Sequence, residues 1–190
     1  MADLVTTADV LSAWSDFGNL STTEQAALVS VASAAVEAYC DRTFTAATYT
    51  DRIDGTNQPS VWLKVTPITS VTSVTLDGAA ITASDYSLDT VTGQLWRGSW
   101  GSGEPSQRAC WPSGVGNLVV VYVAGYATIP DLVKRATILT VKRISEADSG
   151  GLTMERLGDY SYTLADGGHI IPDPAKMMLR PFLRRRMAFA

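Results

Sequence analysis

The feature that most limits what this chain can fold into is a pattern of residue spacing that changes twice along its length. Up to Phe44 the apolar residues recur at helical intervals. Beyond it Thr, Val and aromatic residues dominate, and Asp54-Gly55, Asp77-Gly78 and Thr92-Gly93 break the run as turns. From Pro130 the helical spacing returns. Helical and strand periods are not interchangeable, so this order predicts an α+β protein. N-terminal and C-terminal helices form a helical bundle, and an antiparallel β-sheet or small barrel is inserted between them.

Boundaries follow from the same pattern. An N-terminal helical part is expected over 1–46 and an inserted β part over 47–127 with a long loop at 98–116. A long helix over 128–150 completes the bundle, and 151–190 holds a short strand and a basic amphipathic helix, all within one composite domain. Thr6 with Asp9 caps a short helix through Val10, Leu11 and Trp14 that ends near Gly18. Ser21 with Glu24 forms a clearer capping box, opening a helix with the stripe Leu28, Val31, Ala35, Ala38 and Tyr39. Strands are expected near Thr48–Ile53, Val61–Val65, Val71–Leu76, Tyr86–Leu88, Gln94–Trp96 and Leu118–Val123. Val71, Val74 and Leu76 alternate imperfectly, which points to a bulge or a two-sided strand. Pro130 starts the long helix, with apolar Leu132, Val133, Ala136, Leu139 and Ile144, and Gly150-Gly151 ends it. Tyr160 and Tyr162 share one strand face between Leu152 and Leu164. A last helix from about Pro174 must kink or restart at Pro181.

With 46% apolar residues the chain can bury a core, while runs such as Leu118 to Ala124 are too short to span a bilayer. Met1-Ala2-Asp3-Leu4 has neither the basic nor the apolar region of a secretory signal, so the expected setting is the cytoplasm or a particle assembled there. Cys40 and Cys110 match no disulfide framework or zinc spacing, and both are expected to be reduced, with Cys40 packed at a helix end. The net charge of −4 conceals an asymmetry: from Pro172 onward five basic residues face one acid, leaving the body acidic. A basic tail of this kind meets an acidic surface or nucleic acid.

Catalysis finds no support. The single histidine, His169, sits in a Gly167-Gly168-His169 turn. The spacing of a metal site, a nucleophile elbow or a phosphate loop is absent, Gly98-Ser99-Trp100-Gly101-Ser102-Gly103 included. The expectation is a protein that is not an enzyme and needs no metal or cofactor.

Five stretches, in order and spanning nearly the whole chain, carry a resemblance. They are Ala34-Ala35-Val36-Glu37-Ala38-Tyr39-Cys40-Asp41-Arg42-Thr43-Phe44 and Leu63-Lys64-Val65-Thr66-Pro67-Ile68-Thr69-Ser70-Val71 with Val74 and Asp77-Gly78. Next come Tyr86-Ser87-Leu88-Asp89 with Gly93-Gln94-Leu95, and Val121-Tyr122-Val123-Ala124-Gly125-Tyr126 with Ile129-Pro130-Asp131-Leu132. The last is Leu157-Gly158-Asp159-Tyr160-Ser161-Tyr162 with Leu179-Arg180-Pro181-Phe182. Together they resemble the head–tail connector (adaptor, or head-completion) family of long-tailed bacteriophages. The tryptophan-bearing loop at 98–116 is not part of the likeness.

The resemblance implies a structural virion protein in the neck of the particle. It would form an oligomeric ring, often twelvefold, between portal and stopper or tail, with DNA passing through the lumen without sequence recognition and no membrane involved. It also implies that the C-terminal segment grips the portal protein. Lys176, Met177, Met178, Leu179, Arg180, Phe182, Leu183, Arg184, Arg185, Arg186 and Met187 are the candidates, adaptable apolar anchors interleaved with base. DNA phosphate contact or a solvated charged end would use the same arginines. Glu37, Asp41 and Arg42 are candidates for the subunit interface, or else form a local salt bridge at a helix end. Trp100 and Trp111 either contact the next neck component or, if buried, cap the sheet. Two other functions stay open: a stopper or tail-terminator protein of the neck, and a DNA-binding packaging or regulatory factor using the arginine cluster.

Overall fold

A computed structural model describes residues 2–98, 109–148, 154–157, 160–163 and 170–183. The chain divides into two compact units, one of Met1–Phe44 with Ile129–Ala190 and the other of Thr45–Thr128.

The first unit holds α1 (Thr7–Ala13), a 3-10 turn at Ser15–Asn19, α2 (Thr22–Cys40), α3 (Asp131–Asp148) and α4 (Asp173–Leu179). Both capping boxes form: the Thr6 and Ser21 hydroxyls accept from the Asp9 and Glu24 amides, and each acid reaches back to the cap amide. Donation from the Thr6 amide and hydroxyl holds the Asp9 carboxyl below its ordinary pKa, and donation from the Ser21 hydroxyl and amide does the same for Glu24. Val5, Val10, Phe17, Val29, Ala32 and Val141 form a core in this unit, with Trp14, Leu20, Leu28, Ile138 and Ile144 packed against it. The segment expected as one strand before α4 is a hairpin, β8 (Met154–Leu157) against β9 (Tyr160–Thr163).

Of the stripe read in α2, Leu28 packs against the core, whereas Val31, Ala38 and Tyr39 lie on the outer side. Val31 is 53% exposed and Tyr39 38%, while the buried face is Gln25, Val29, Ala32, Ser33, Val36, Glu37 and Cys40. Three of those residues are polar, and each closes a backbone group. Gln25 Nε2 donates to the carbonyls of Phe17 (3.1 Å) and Leu20 (3.0 Å). The Ser33 hydroxyl accepts from the Leu4 amide at 3.1 Å, and Glu37 Oε1 accepts from the Phe44 amide at 2.9 Å. Hydrophobic periodicity alone ranks such positions as outward, but a satisfied polar group is as admissible in a core as an apolar one. The same shift occurs in α3, whose buried residues include Thr137 and Thr140, each donating back to the carbonyl four residues earlier, while Leu132 is exposed.

The second unit holds two open antiparallel sheets rather than a closed barrel among its described residues. One has the order β1 (Ala47–Gly55), β7 (Gly114–Ala124), β3 (Ile68–Leu76), β4 (Ala79–Ile81). The other has the order β2 (Ser60–Trp62), β6 (Gln94–Arg97), β5 (Tyr86–Asp89). β7 is central and pairs along its length with β1 and β3. Its alternate residues Leu118, Val120, Tyr122 and Ala124 are buried. They join Val61, Leu63, Ile68, Val74, Leu95 and Trp111 in one core drawn from both sheets. The irregularity expected in β3 is present as register shifts between Ile68 and Ser70 and between Val71 and Ser73. β2 is shorter than expected because Leu63 to Pro67 leaves the sheet. The cause is a buried polar pair. Asp51 Oδ2 accepts from the Tyr122 hydroxyl and from the Lys64 amide, both at 2.8 Å, and Tyr122 Oη accepts from the Val65 amide at 3.1 Å. Burial also raises the Tyr122 phenol well above its ordinary pKa, so it remains a donor.

The two ends of this unit lie side by side, Thr45 bridging to Tyr126 in parallel. Gly125 makes this approach possible: its φ is +118°, and a Cβ there would come within 2.6 Å of the Thr45 carbonyl.

Tyr122→Phe removes one hydroxyl, leaves the Val65 amide without its acceptor and takes one of its donors from buried Asp51, the Lys64 amide remaining. The expected loss is about 1–3 kcal/mol of unfolding free energy in urea, with the fold retained.

Candidate interaction surfaces

α2 ends through backbone geometry that its last residues dictate. Asp41 takes a left-handed conformation with φ 50°, its amide donating to the Ala38 and Glu37 carbonyls, and the Arg42 amide donates to Glu37 O at 3.2 Å. The Glu37 carboxylate then holds the Phe44 amide, and the Phe44 ring is buried edge-on against Phe182 at 5.9 Å. Of the three candidates for a subunit interface, Glu37 is therefore buried and engaged within its own chain. Asp41 lies on the surface and Arg42 is half-buried. Cys40, behind this turn, is fully buried, and its thiol pKa is pushed up to about 11 by that burial.

The C-terminal candidates separate into two groups. Leu179 is fully buried and Phe182 packs on Phe44, so these side chains, with buried Ala175, which was not a candidate, seat α4 in the helical unit. Met177 is 75% exposed, Arg180 is exposed and Met178 and Leu183 are half-buried. Lys176 Nζ reaches Asp173 Oδ1 at 2.8 Å. The break expected at Pro181 is present: α4 stops at Leu179 and a 3-10 turn covers Arg180–Phe182. Arg184, Arg185, Arg186 and Met187 lie outside the described residues, as do Trp100, His169 and Gly150-Gly151.

Trp111 is fully buried. Its indole N–H donates to the Leu95 carbonyl at 3.2 Å, its backbone pairs with Gln58, and the Arg97 guanidinium lies 5.2 Å from the ring centroid. It closes the sheet core and offers no outward contact. Among the described residues no cluster of His, Cys, Asp or Glu is placed to hold a metal ion, and no helix is long and apolar enough to cross a membrane.

What the residue pattern missed is where apolar surface is left open. Besides the outer face of α2, Val91 stands out at a turn of the β unit, Val115 near the start of β7, and Leu132 at the start of α3. The signal in α2 was present: only Glu24 and Glu37 are charged in its 19 residues, so no arrangement gives it a charged outer side.

The model of the head completion protein family matches residues 10–154. No curated protein matches the chain. Its structure is similar to a chain in the neck of a native GTA particle computed with C12 symmetry, at a TM-score of 0.55 and 14% identity. That match covers 100% of this chain and 97% of the other. A chain of the native gene transfer agent (GTA) virion gives a TM-score of 0.58 at 15% identity, covering 98% and 93%. The neck of the empty GTA particle, computed with C6 symmetry, gives 0.59 at 14%, covering 100% and 97%. At these identities the likeness is one of fold.

Two measurements check the helix end. Glu37→Ala strands the Phe44 amide and is expected to lower unfolding free energy by about 1–3 kcal/mol in urea, whereas Glu37→Gln, which keeps an oxygen acceptor, loses less. In thiol labelling at pH 8, exposed Cys110 reacts promptly, and Cys40 reacts only once the protein is unfolded.

Proposed function

This chain belongs to the head completion protein family, and we propose that it serves as a structural adaptor in the neck of a tailed phage or phage-like particle. In this reading copies of the chain form a ring, twelvefold where the portal is, between the portal and the stopper or tail, and DNA passes through its lumen without being read. The observation that carries the reading is the family match together with a fold that parallels neck chains over essentially their whole length. The surfaces fit an assembling protein: a helix apolar on both sides and a C-terminal helix presenting an exposed methionine are sites for partners, not for chemistry.

Within this reading the portal contact falls to Met177, Met178, Arg180 and Leu183 and to the cluster Arg184, Arg185 and Arg186 with Met187. Leu179 and Phe182 contribute by fixing where that segment leaves the helical unit. Asp41 and Arg42, at the exposed end of α2, remain candidates for a contact with the neighbouring copy, and Trp100 for a contact with the next neck component.

The test is co-assembly with the cognate portal, viewed by electron microscopy. The wild-type chain is expected to stack as a ring on the narrow end of the portal. Met177→Glu combined with Arg184→Ala, Arg185→Ala and Arg186→Ala is expected to abolish stacking with stability unchanged. Normal stacking by that variant would assign the grip elsewhere. Absence of a ring, or tight and salt-sensitive DNA binding by the free protein, would favour a stopper role or a packaging factor. Leu179→Ala is the contrasting control, expected to destabilise the helical unit by about 2–5 kcal/mol.

A further inference from the structure

Among the described residues β1 is the one long edge of the β unit. It pairs with β7 alone, in a register that runs unbroken from Ala47↔Ala124 to Ile53↔Leu118. The other edge strands are short: β4 and β2 have three residues each and β5 has four. Alternate residues of an edge strand turn both backbone groups away from their neighbour, so β1 offers a row of donors and acceptors. Thr48, Thr50, Arg52 and Asp54 are exposed along it, and it holds no proline or lysine to keep another strand away. Its inward charge, Asp51, is no deterrent either, because the Tyr122 hydroxyl and the Lys64 amide already hold it.

The helical unit holds an element with the opposite need. β8 and β9 pair with each other and with no third strand among the described residues. A two-stranded hairpin is marginal in water and gains stability by joining a sheet. Its strands differ in composition. β8 is Met154-Glu155-Arg156-Leu157, whereas β9 is Tyr160-Ser161-Tyr162-Thr163, uncharged and strand-forming like Thr48-Tyr49-Thr50 of β1. We infer that β9 of one copy adds antiparallel to the free edge of β1 in the next copy. The combined sheet then runs β8-β9-β1-β7-β3-β4, and its new edge is β8, whose charges discourage further pairing. The inference rests on the ring proposed above and names a contact that closes it. Donor and acceptor are different elements, so the contact is head-to-tail. Each copy gives a hairpin to one neighbour and receives one from the other, as a cyclic ring requires. Twofold pairing of β1 with β1 would instead leave every hairpin without a sheet.

Amide hydrogen exchange tests the contact, read by mass spectrometry on dilute single copies and on rings assembled alone or on the portal. The outward amides of Ala47–Ile53 are expected to exchange promptly in single copies and to become protected in rings. Replacing residues 154–163 by a Gly-Ser linker is expected to leave both units folded while abolishing rings and that protection together. Ser161→Pro with Thr163→Pro, which keeps the chain length and removes two amides from β9, is expected to do the same. Rings in which β1 gains no protection, or rings formed normally by either variant, would overturn this contact and leave the ring standing. Protection of those amides already in the single copy would overturn it too, since the edge would then be covered from within its own chain. Failure of the wild-type chain to form rings, alone or on the portal, would remove the ring and this contact with it.

Discussion

The β unit depends on one buried pair, the Asp51 carboxylate and the Tyr122 phenol. Placing a carboxylate beneath a sheet is unfavourable unless its lone pairs are used, and here they are used by the phenol and by the Lys64 amide. The phenol in turn needs a donor and takes the Val65 amide. Two consecutive amides are thereby withdrawn from strand pairing, so the chain must leave β2 and turn to Pro67 before β3 begins. Other backbone bonds follow that path: Leu63 donates to Gly93, Ile68 to Thr90, and Gly125 to Pro67. The segment from Leu63 to Pro67 thus joins the two sheets through hydrogen bonds that form only if both sheets are in place, which makes their formation mutually dependent.

The helical unit uses the same device. Gln25, Ser33 and Glu37 each spend a side chain on a backbone group that no helix or strand satisfies. Such residues set the rotation of α2 about its axis, and hydrophobic content does not, because both sides of the helix are apolar. This is why the existence and ends of α2 could be read from the residue pattern and its facing could not. Capping boxes are local and announce themselves within four residues. Whether a glutamine faces in or out depends on a carbonyl eight residues away, at Phe17. Trp111 poses the same difficulty, since an indole fits a core or a binding surface, and only the position of the Leu95 carbonyl distinguishes them.

Parts of the five stretches that suggested the family meet in space at two places. The end of α2 and the Leu179-Arg180-Pro181-Phe182 stretch meet at the Phe44 and Phe182 rings. The stretches around Pro67, Gly93 and Tyr122 meet along the Leu63–Pro67 segment. As strings they look like unrelated short words; as structure they are the partners of two joints. Their order along the chain was visible, but which word touches which was not, because the partners lie tens of residues apart and nothing local encodes the pairing. The candidate surfaces were legible only as composition: an uncharged helix and a basic end.

The bridge between Thr45 and Tyr126 bears on how the interrupted helical unit can exist. An unstructured excursion as long as Thr45–Thr128 would impose a closure entropy of roughly 4 kcal/mol on the helices that flank it. A folded β unit whose first and last residues are already neighbours replaces that excursion by something equivalent to a short turn. As far as chain closure is concerned, only the spacing of those two ends enters, whatever length of chain lies between them. Lengthening or shortening a turn inside the β unit therefore adds nothing to the closure entropy of the helices that flank it.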